Sequence, residues 1–202
     1  MHGMFPIPLY AVTREADLDS TEEKEIGNII EEGMSRNDSN SSTENTYIFK
    51  TKLKSLKQFC EKQLRNYVKE IINPREELDL YITQSWLNVT KPGEYHHGHS
   101  HPNSIISGVF YISTEEDDYI TFTDPNAKLK NRIEFVQKEA NLFNSSTWFF
   151  QSITNELILF PSWLDHRVKV NPKATTDRIS ISFNTFVKGI LGCRKASTEL
   201  IL

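Results

Sequence analysis

The feature that most constrains this chain is a change of hydrophobic period near residue 78. Before it, apolar residues recur at helical spacing; after it, they alternate. Ile26, Ile29, Ile30 and Met34 follow Asp19-Ser20-Thr21, with Glu22 and Glu23 in the first turn, which predicts an amphipathic helix with an acidic start. Leu53, Leu56, Phe59, Cys60, Leu64, Tyr67, Val68, Ile71 and Ile72 predict a second helix, stopped by Asn73-Pro74. Strand patterns then run over Leu78 to Val89, Ile105 to Ile112, Tyr119 to Thr123, Glu156 to Phe160, Arg167 to Val170 and Arg178 to Val187. Strands that follow one another without helices between them call for antiparallel pairing in a barrel or sandwich, not for alternating βαβ units. Phe5 to Tyr10, with two prolines, suits an edge strand or an extended lead-in. Arg36 to Thr46 is polar throughout and reads as a mobile loop, and the long, mixed segment Asn126 to Gln151 as a lid or substrate loop, or else as a decorated hairpin.

With 202 residues the chain has enough length for one packed core without covalent staples. A net charge of -4 and the lack of any Lys/Arg-rich block argue against nucleic acid as a partner. No segment is long and apolar enough to suggest a membrane span, and the start lacks a signal-peptide pattern, so the expected location is cytoplasmic. Cys60 and Cys193 are far apart and outside any metal-binding spacing, which predicts reduced, non-ligating thiols.

Five of six histidines fall in the β-rich part: His96, His97, His99 and His101 in one cluster, and His166 after Phe160-Pro161-Ser162-Trp163-Leu164-Asp165. Residues two apart on a strand share a face, so a His-x-His pair can converge on one point. A distant histidine at the end of another strand completes the pattern of a metal site at a barrel mouth, and imidazole suits iron, zinc, copper and nickel alike. The bland alternative is a solvated, histidine-rich turn. In Asp177 to Asn184, Arg178, Ser180 and Ser182 fall on one face and Ile179, Ile181 and Phe183 on the other. An arginine heading an inward polar stripe fits a carboxylate ligand, because guanidinium offers a bidentate fork; a surface strand is the alternative.

Trp86-Leu87-Asn88-Val89, Gly93, His99-Ser100-His101-Pro102, Ser107-Gly108-Val109-Phe110-Tyr111, Phe160 to Val168 and Arg178 to Asn184 together resemble a family of 2-oxoglutarate/iron(II) oxygenases of bacteria and phages. The resemblance runs from about Phe5 to Val187. It implies a mostly β fold, a double-stranded β-helix (jelly-roll) barrel over residues 76–202 with a C-terminal tail. Residues 1–75 would then supply a strand and two supporting helices. It implies iron(II) on His99 and His166, and 2-oxoglutarate gripped by Arg178 and Ser180, with Asn88 and Tyr111 or Ser107 as further hydrogen-bonding partners.

His101 departs from the superfamily pattern, where an acid usually completes a two-His-one-carboxylate triad. Either His101 ligates, or water fills the position, or a carboxylate such as Asp124 arrives from elsewhere. The expected partner is a small-molecule or peptidyl substrate, with a homodimer left open. Gly93 followed by His99-x-His101 also matches the opening of a cupin motif, but the acid that should follow is missing from Asn103 to Ser107. A cupin-type metal enzyme or sugar-binding barrel, or a metal-free jelly-roll interaction module, are the competing readings.

Overall fold

The computed structural model of the chain describes residues 5–127 and 136–202. In chain order it runs β1 (Tyr10–Thr13), α1 (Ser20–Glu32), β2 (Met34–Arg36), β3 (Ser41–Thr43), α2 (Lys54–Tyr67), β4 (Leu78–Thr90), β5 (His96–His99) and β6 (Ile106–Ser113). It continues with β7 (Tyr119–Thr123), β8 (Thr147–Gln151), β9 (Glu156–Pro161), β10 (His166–Val168), β11 (Arg178–Leu191) and β12 (Leu200–Ile201). The strands form two antiparallel sheets. The major one is ordered β1-β9-β6-β11-β4-β3-β2, with β12 paired to the end of β11; the minor one is β5-β10-β7-β8.

The expected helices form for the expected reasons, except that α1 ends at Glu32 and Met34, expected in its apolar stripe, opens β2 beyond Gly33. Asp19 caps α1 by accepting from the backbone N–H groups of Thr21 and Glu22, while the Glu22 carboxylate accepts from the Asp19 N–H, a reciprocal capping box. Arg14 grips the same buried Glu22 at 2.9 Å, tying the helix to the end of β1. The second helix continues past Tyr67 as a π-helical turn, Val68–Ile72, and stops at Asn73 in a left-handed conformation.

Along the central strands of the major sheet, successive side chains divide between two sides, as the period of two requires. Leu157 and Leu159 of β9, Phe110 of β6, Ile181 and Phe183 of β11 and Leu87 and Val89 of β4 join the core that also holds Ile26, Ile29, Leu56, Cys60 and Leu64 of the helices. Ile158 and Phe160 of β9 and Tyr111 of β6 point the other way, onto Ile120 and Phe122 of the minor sheet. Phe183 packs over Gly108, its partner on β6: a Cβ there would lie 2.2 Å from the Phe183 ring. Only glycine leaves room for that ring.

One segment departs from the sequence expectations, and two settle between the alternatives that the sequence left open. Arg36 to Thr46 is not a mobile loop: β2 and β3 make a hairpin that extends the major sheet, with Ser42 opposite Asn88. Its strands are three residues each, too short for an apolar alternation to show. The edge strand at the start is present but begins only at Tyr10, pairing with Leu159. In the segment expected as a lid, Thr147 to Gln151 is a regular strand, β8, paired with β7; residues 128–135 of that segment lie outside the described residues. Both cysteines are free, as expected, Cys60 buried and Cys193 exposed. Among the described residues no helix is long and apolar enough to cross a membrane.

Candidate functional site

Between the two sheets lies a pocket. It is lined by His96, His99, His101 and His166 at one end and by Asn88, Thr90, Tyr111, Arg178, Ser180 and Ser182 elsewhere. Both sequence clusters therefore meet in one cavity, although they come from different sheets.

Strand pairing brings the histidines together. His99 of β5 stands directly opposite His166 of β10, with ring centroids 4.4 Å apart. His101, just past β5, is held by a hydrogen bond from its backbone N–H to the Ser162 carbonyl, and its ring lies 4.9 Å from His99 and 5.1 Å from His166. One nitrogen from each of the three rings falls within 4.8 Å of the others, close enough to share an ion. Asp124, the carboxylate considered in place of His101, is not part of any such group among the described residues; it accepts from the Asn126 N–H instead.

The rings are already oriented. A carbonyl oxygen only accepts, so His99 donates from Nδ1 to His97 O at 2.9 Å and His166 from Nδ1 to Leu164 O at 3.0 Å. Each then carries its lone pair on Nε2, the tautomer a metal ligand needs. Burial is the main cause that pulls the ring pKa values down, to about 3 for His101 and about 4 for His166, with His99 also lowered. Neighbouring imidazoles add to the effect. All three are neutral at pH 7, so the residues present fit a divalent transition ion.

His96, His97 and His99 form a second group within the same spacing. Since His99 has a single lone pair, it serves one group or the other. The inner group is the enclosed one: His166 is 5 % exposed, whereas His97 lies on the surface.

The other end of the pocket is built in register. Ser180 of β11 is flanked by Asn88 of β4 and Tyr111 of β6, and Arg178 stands beside Thr90. Directly paired residues share a face, so Asn88, Ser180 and Tyr111 make one row across three strands. Arg178 is 8 % exposed, and among the described residues its guanidinium makes no hydrogen bond; its ionic neighbour is Asp118 at 3.8 Å. Among the described residues the buried Tyr111 hydroxyl has no hydrogen-bond partner, the Ser152 hydroxyl beside it falling short of bonding geometry. Burial pushes the Tyr111 phenol up to about 12, so it stays a neutral donor. An unpaired guanidinium and an unpaired phenol are buried donors that lack an acceptor, and a carboxylate supplies one.

Asn88 donates from Nδ2 to Ser182 Oγ at 3.0 Å, leaving Oδ1 without a partner. The second Nδ2 hydrogen remains available to a carboxylate, and turning the amide over, so that Ser182 donates to Oδ1, would free both. Ser107 lines the pocket, but its hydroxyl is engaged with Ser162 at 2.9 Å and Asn184 Oδ1 at 3.0 Å. That network locks the turn before His166 to β6, so Ser107 has a structural part.

Sequence reasoning missed Asn40. It sits fully buried in the β2–β3 turn and donates to Thr90 Oγ1 at 3.0 Å, with His96 Nδ1 at 3.2 Å. An ion pair between Arg36 and Glu94 fastens the same hairpin to the Gly93 turn. Trp86 lines the pocket 5.8 Å from His101.

Comparison with known proteins agrees with this geometry. A family model described as "Putative 2OG-Fe(II) oxygenase" matches residues 84–184, half of the chain, including every candidate ligand. No curated protein matches. Among solved structures, a Pseudomonas putida prolyl-4-hydroxylase is 14% identical with a TM-score of 0.56, covering 88% of this chain and 92% of that one. An oxidoreductase of the 2OG-Fe(II) oxygenase family from Burkholderia pseudomallei is 12% identical with a TM-score of 0.55, covering 87% and 83%. HygX from Streptomyces hygroscopicus, with nickel, 2-oxoglutarate and hygromycin B bound, is 10% identical with a TM-score of 0.54, covering 89% and 82%. These identities speak for the jelly-roll fold.

Proposed function

Since this chain belongs to the 2OG-Fe(II) oxygenase family, we propose that it is an iron(II)- and 2-oxoglutarate-dependent hydroxylase of a small-molecule or peptidyl substrate. That span of substrates is the one seen in the hygromycin B-bound and prolyl-4-hydroxylase neighbours. The observation that carries the reading is Arg178: a buried guanidinium without a hydrogen bond, facing the cavity that also holds three convergent, neutral imidazoles. A lone metal site would not need it.

In this reading His99 and His166 hold the ion through Nε2, with His101 as the third ligand. Iron(II) with 2-oxoglutarate supplies the oxidising chemistry when bound, coupling decarboxylation of the co-substrate to succinate with oxidation of a substrate C–H bond by dioxygen. Arg178 takes the distal carboxylate in its fork and Ser180 and Tyr111 donate to the same group. Asn88 joins them through its second Nδ2 hydrogen. Ile120, Val109 and Val168 line the pocket between the two ends and keep that stretch apolar.

The test is titration of 2-oxoglutarate into anaerobic, iron(II)-loaded protein. Arg178→Ala is expected to raise the dissociation constant more than about tenfold, the equivalent of roughly 1.5–3 kcal/mol for a charge-assisted contact, with iron affinity unchanged. Arg178→Lys recovers part of it, since an ammonium cannot form the fork. If wild type does not bind the co-substrate, the oxygenase reading fails.

A further inference from the structure

Arg178 has a buried neighbour that the sequence patterns do not mark. Asp118 sits in the turn leading into β7, 4 % exposed, with Oδ1 3.8 Å from the guanidinium. Other groups fix it in place: Asn171 Nδ2 donates to Oδ1 at 3.2 Å, and the Glu115 backbone N–H donates to Oδ2 at 3.0 Å. At 3.8 Å the pair satisfies charge without a hydrogen bond. Asp118 thus neutralises Arg178 yet leaves its donors to a ligand.

Charge balance gives this arrangement a purpose. Neutral imidazoles bring no negative charge to the ion, unlike a ligand set that includes a carboxylate. Among the buried groups, a divalent ion on three histidines together with Arg178 and Asp118 carries the two positive charges that a dicarboxylate cancels; Arg167, also in the lining, is exposed to solvent and screened. Without Asp118 one would be left over. The acid absent beside the metal is, in effect, present beside the arginine.

We propose that Asp118 is a built-in counter-anion for Arg178: it holds the guanidinium's charge while the pocket is empty, and so sets a weaker affinity for the dicarboxylate co-substrate and for succinate. This rests on the oxygenase reading above. The physical ground is linkage. Removing one member of a buried ion pair destabilises the ligand-free protein because a charge is left alone. A ligand carboxylate restores that charge's partner, so the loss appears as tighter binding. Succinate keeps the same distal carboxylate, so the effect extends to product release.

The experiment compares anaerobic, iron(II)-loaded wild type with the near-isosteric Asp118→Asn, measuring 2-oxoglutarate and succinate by calorimetry and the ligand-free melting temperature by scanning. Asp118→Asn is expected to melt lower without ligand, yet bind both dicarboxylates at least about threefold more tightly, since the lost charge was a few ångströms from the ligand site in a medium of reduced dielectric. A merely structural role would lower stability and weaken both ligands together. Asp118→Glu, which keeps the charge, should leave both constants within about twofold of wild type. Should Asp118→Asn not fold, the melting temperatures of Arg178→Gln and of the double variant Arg178→Gln/Asp118→Asn decide the matter: the double variant is expected to melt higher, because Arg178→Gln alone strands the carboxylate. Equal or weaker binding by Asp118→Asn, or a double variant no more stable than Arg178→Gln, overturns the inference alone. Absence of 2-oxoglutarate binding by wild type overturns both readings.

Discussion

The two faces of the major sheet obey different rules although they alternate along the same strands. On β11, Ile181 and Phe183 enter the helix-covered core at 0% exposure, while Arg178 and Ser180, equally withdrawn from bulk water at 8%, line the cavity. One face is buried because its groups are apolar. The other is buried although its groups are polar, and it tolerates Arg178 and Tyr111 without hydrogen bonds. Folding alone gives no return for unpaired donors, so the second face is shaped by a ligand. The comparison teaches that burial by itself does not separate core from site; satisfaction of hydrogen bonds does.

If the division is real, changes on the pocket side should cost binding and spare the fold. His166→Ala and His99→Ala are each expected to abolish stoichiometric iron(II) binding in a calorimetric titration, with far-ultraviolet dichroism unchanged, because no core residue packs through the metal. His101→Ala should weaken binding less. Full-strength iron binding by the His166 variant would remove the site assignment.

The reverse break is on the helix side. Phe183→Ala should lower the free energy of unfolding by about 3–5 kcal/mol, the usual result of emptying a fully packed aromatic site. The folded fraction should keep its iron stoichiometry. Gly108→Ala should act in the same direction, since its methyl would meet the Phe183 ring. Denaturant melts followed by iron titration read both properties from one sample.

A smaller effect blurs the boundary in a predictable way. His96, His101 and His166 have folded-state pKa values of about 3, 3 and 4, set first by burial, against an ordinary 6.5. Below 6.5 the unfolded chain takes up protons that the folded chain refuses, so stability falls with falling pH, starting near 6.5 and continuing to about 3–4. Metal-free protein should therefore melt progressively lower between about pH 6.5 and 4.5, and His101→Gln should flatten that slope. A metal-free melting temperature independent of pH across this window would contradict the burial of these rings.

Much of this was legible in the sequence because it depends on short-range pattern. The helical stripe of Leu56, Cys60 and Leu64 and the alternation of Arg178 to Phe183 each put side chains on the face where they stand. His99, His166, Arg178, Ser180, Asn88 and Tyr111 stood out by pattern and resemblance, and the structure brings all six to one cavity. What the sequence hid is long-range. Asn40 meets Thr90 and His96 across 50 and 56 residues, and a short polar hairpin carries no apolar period to announce it. Asp118 is one of many acids in the sequence until the fold sets it beside the distant Arg178. Ser107 looked like a ligand contact because strand register alone does not show that Ser162 and Asn184 already occupy its hydroxyl.

The carbonyl ties on His99 and His166 bear on how the protein is loaded. With each Nδ1 proton parked on the chain's own backbone, neither ring has to rotate, change tautomer or give up a proton when an ion arrives. Capture at neutral pH would then release no proton from these two rings, so the affinity they supply should vary little with pH above neutrality.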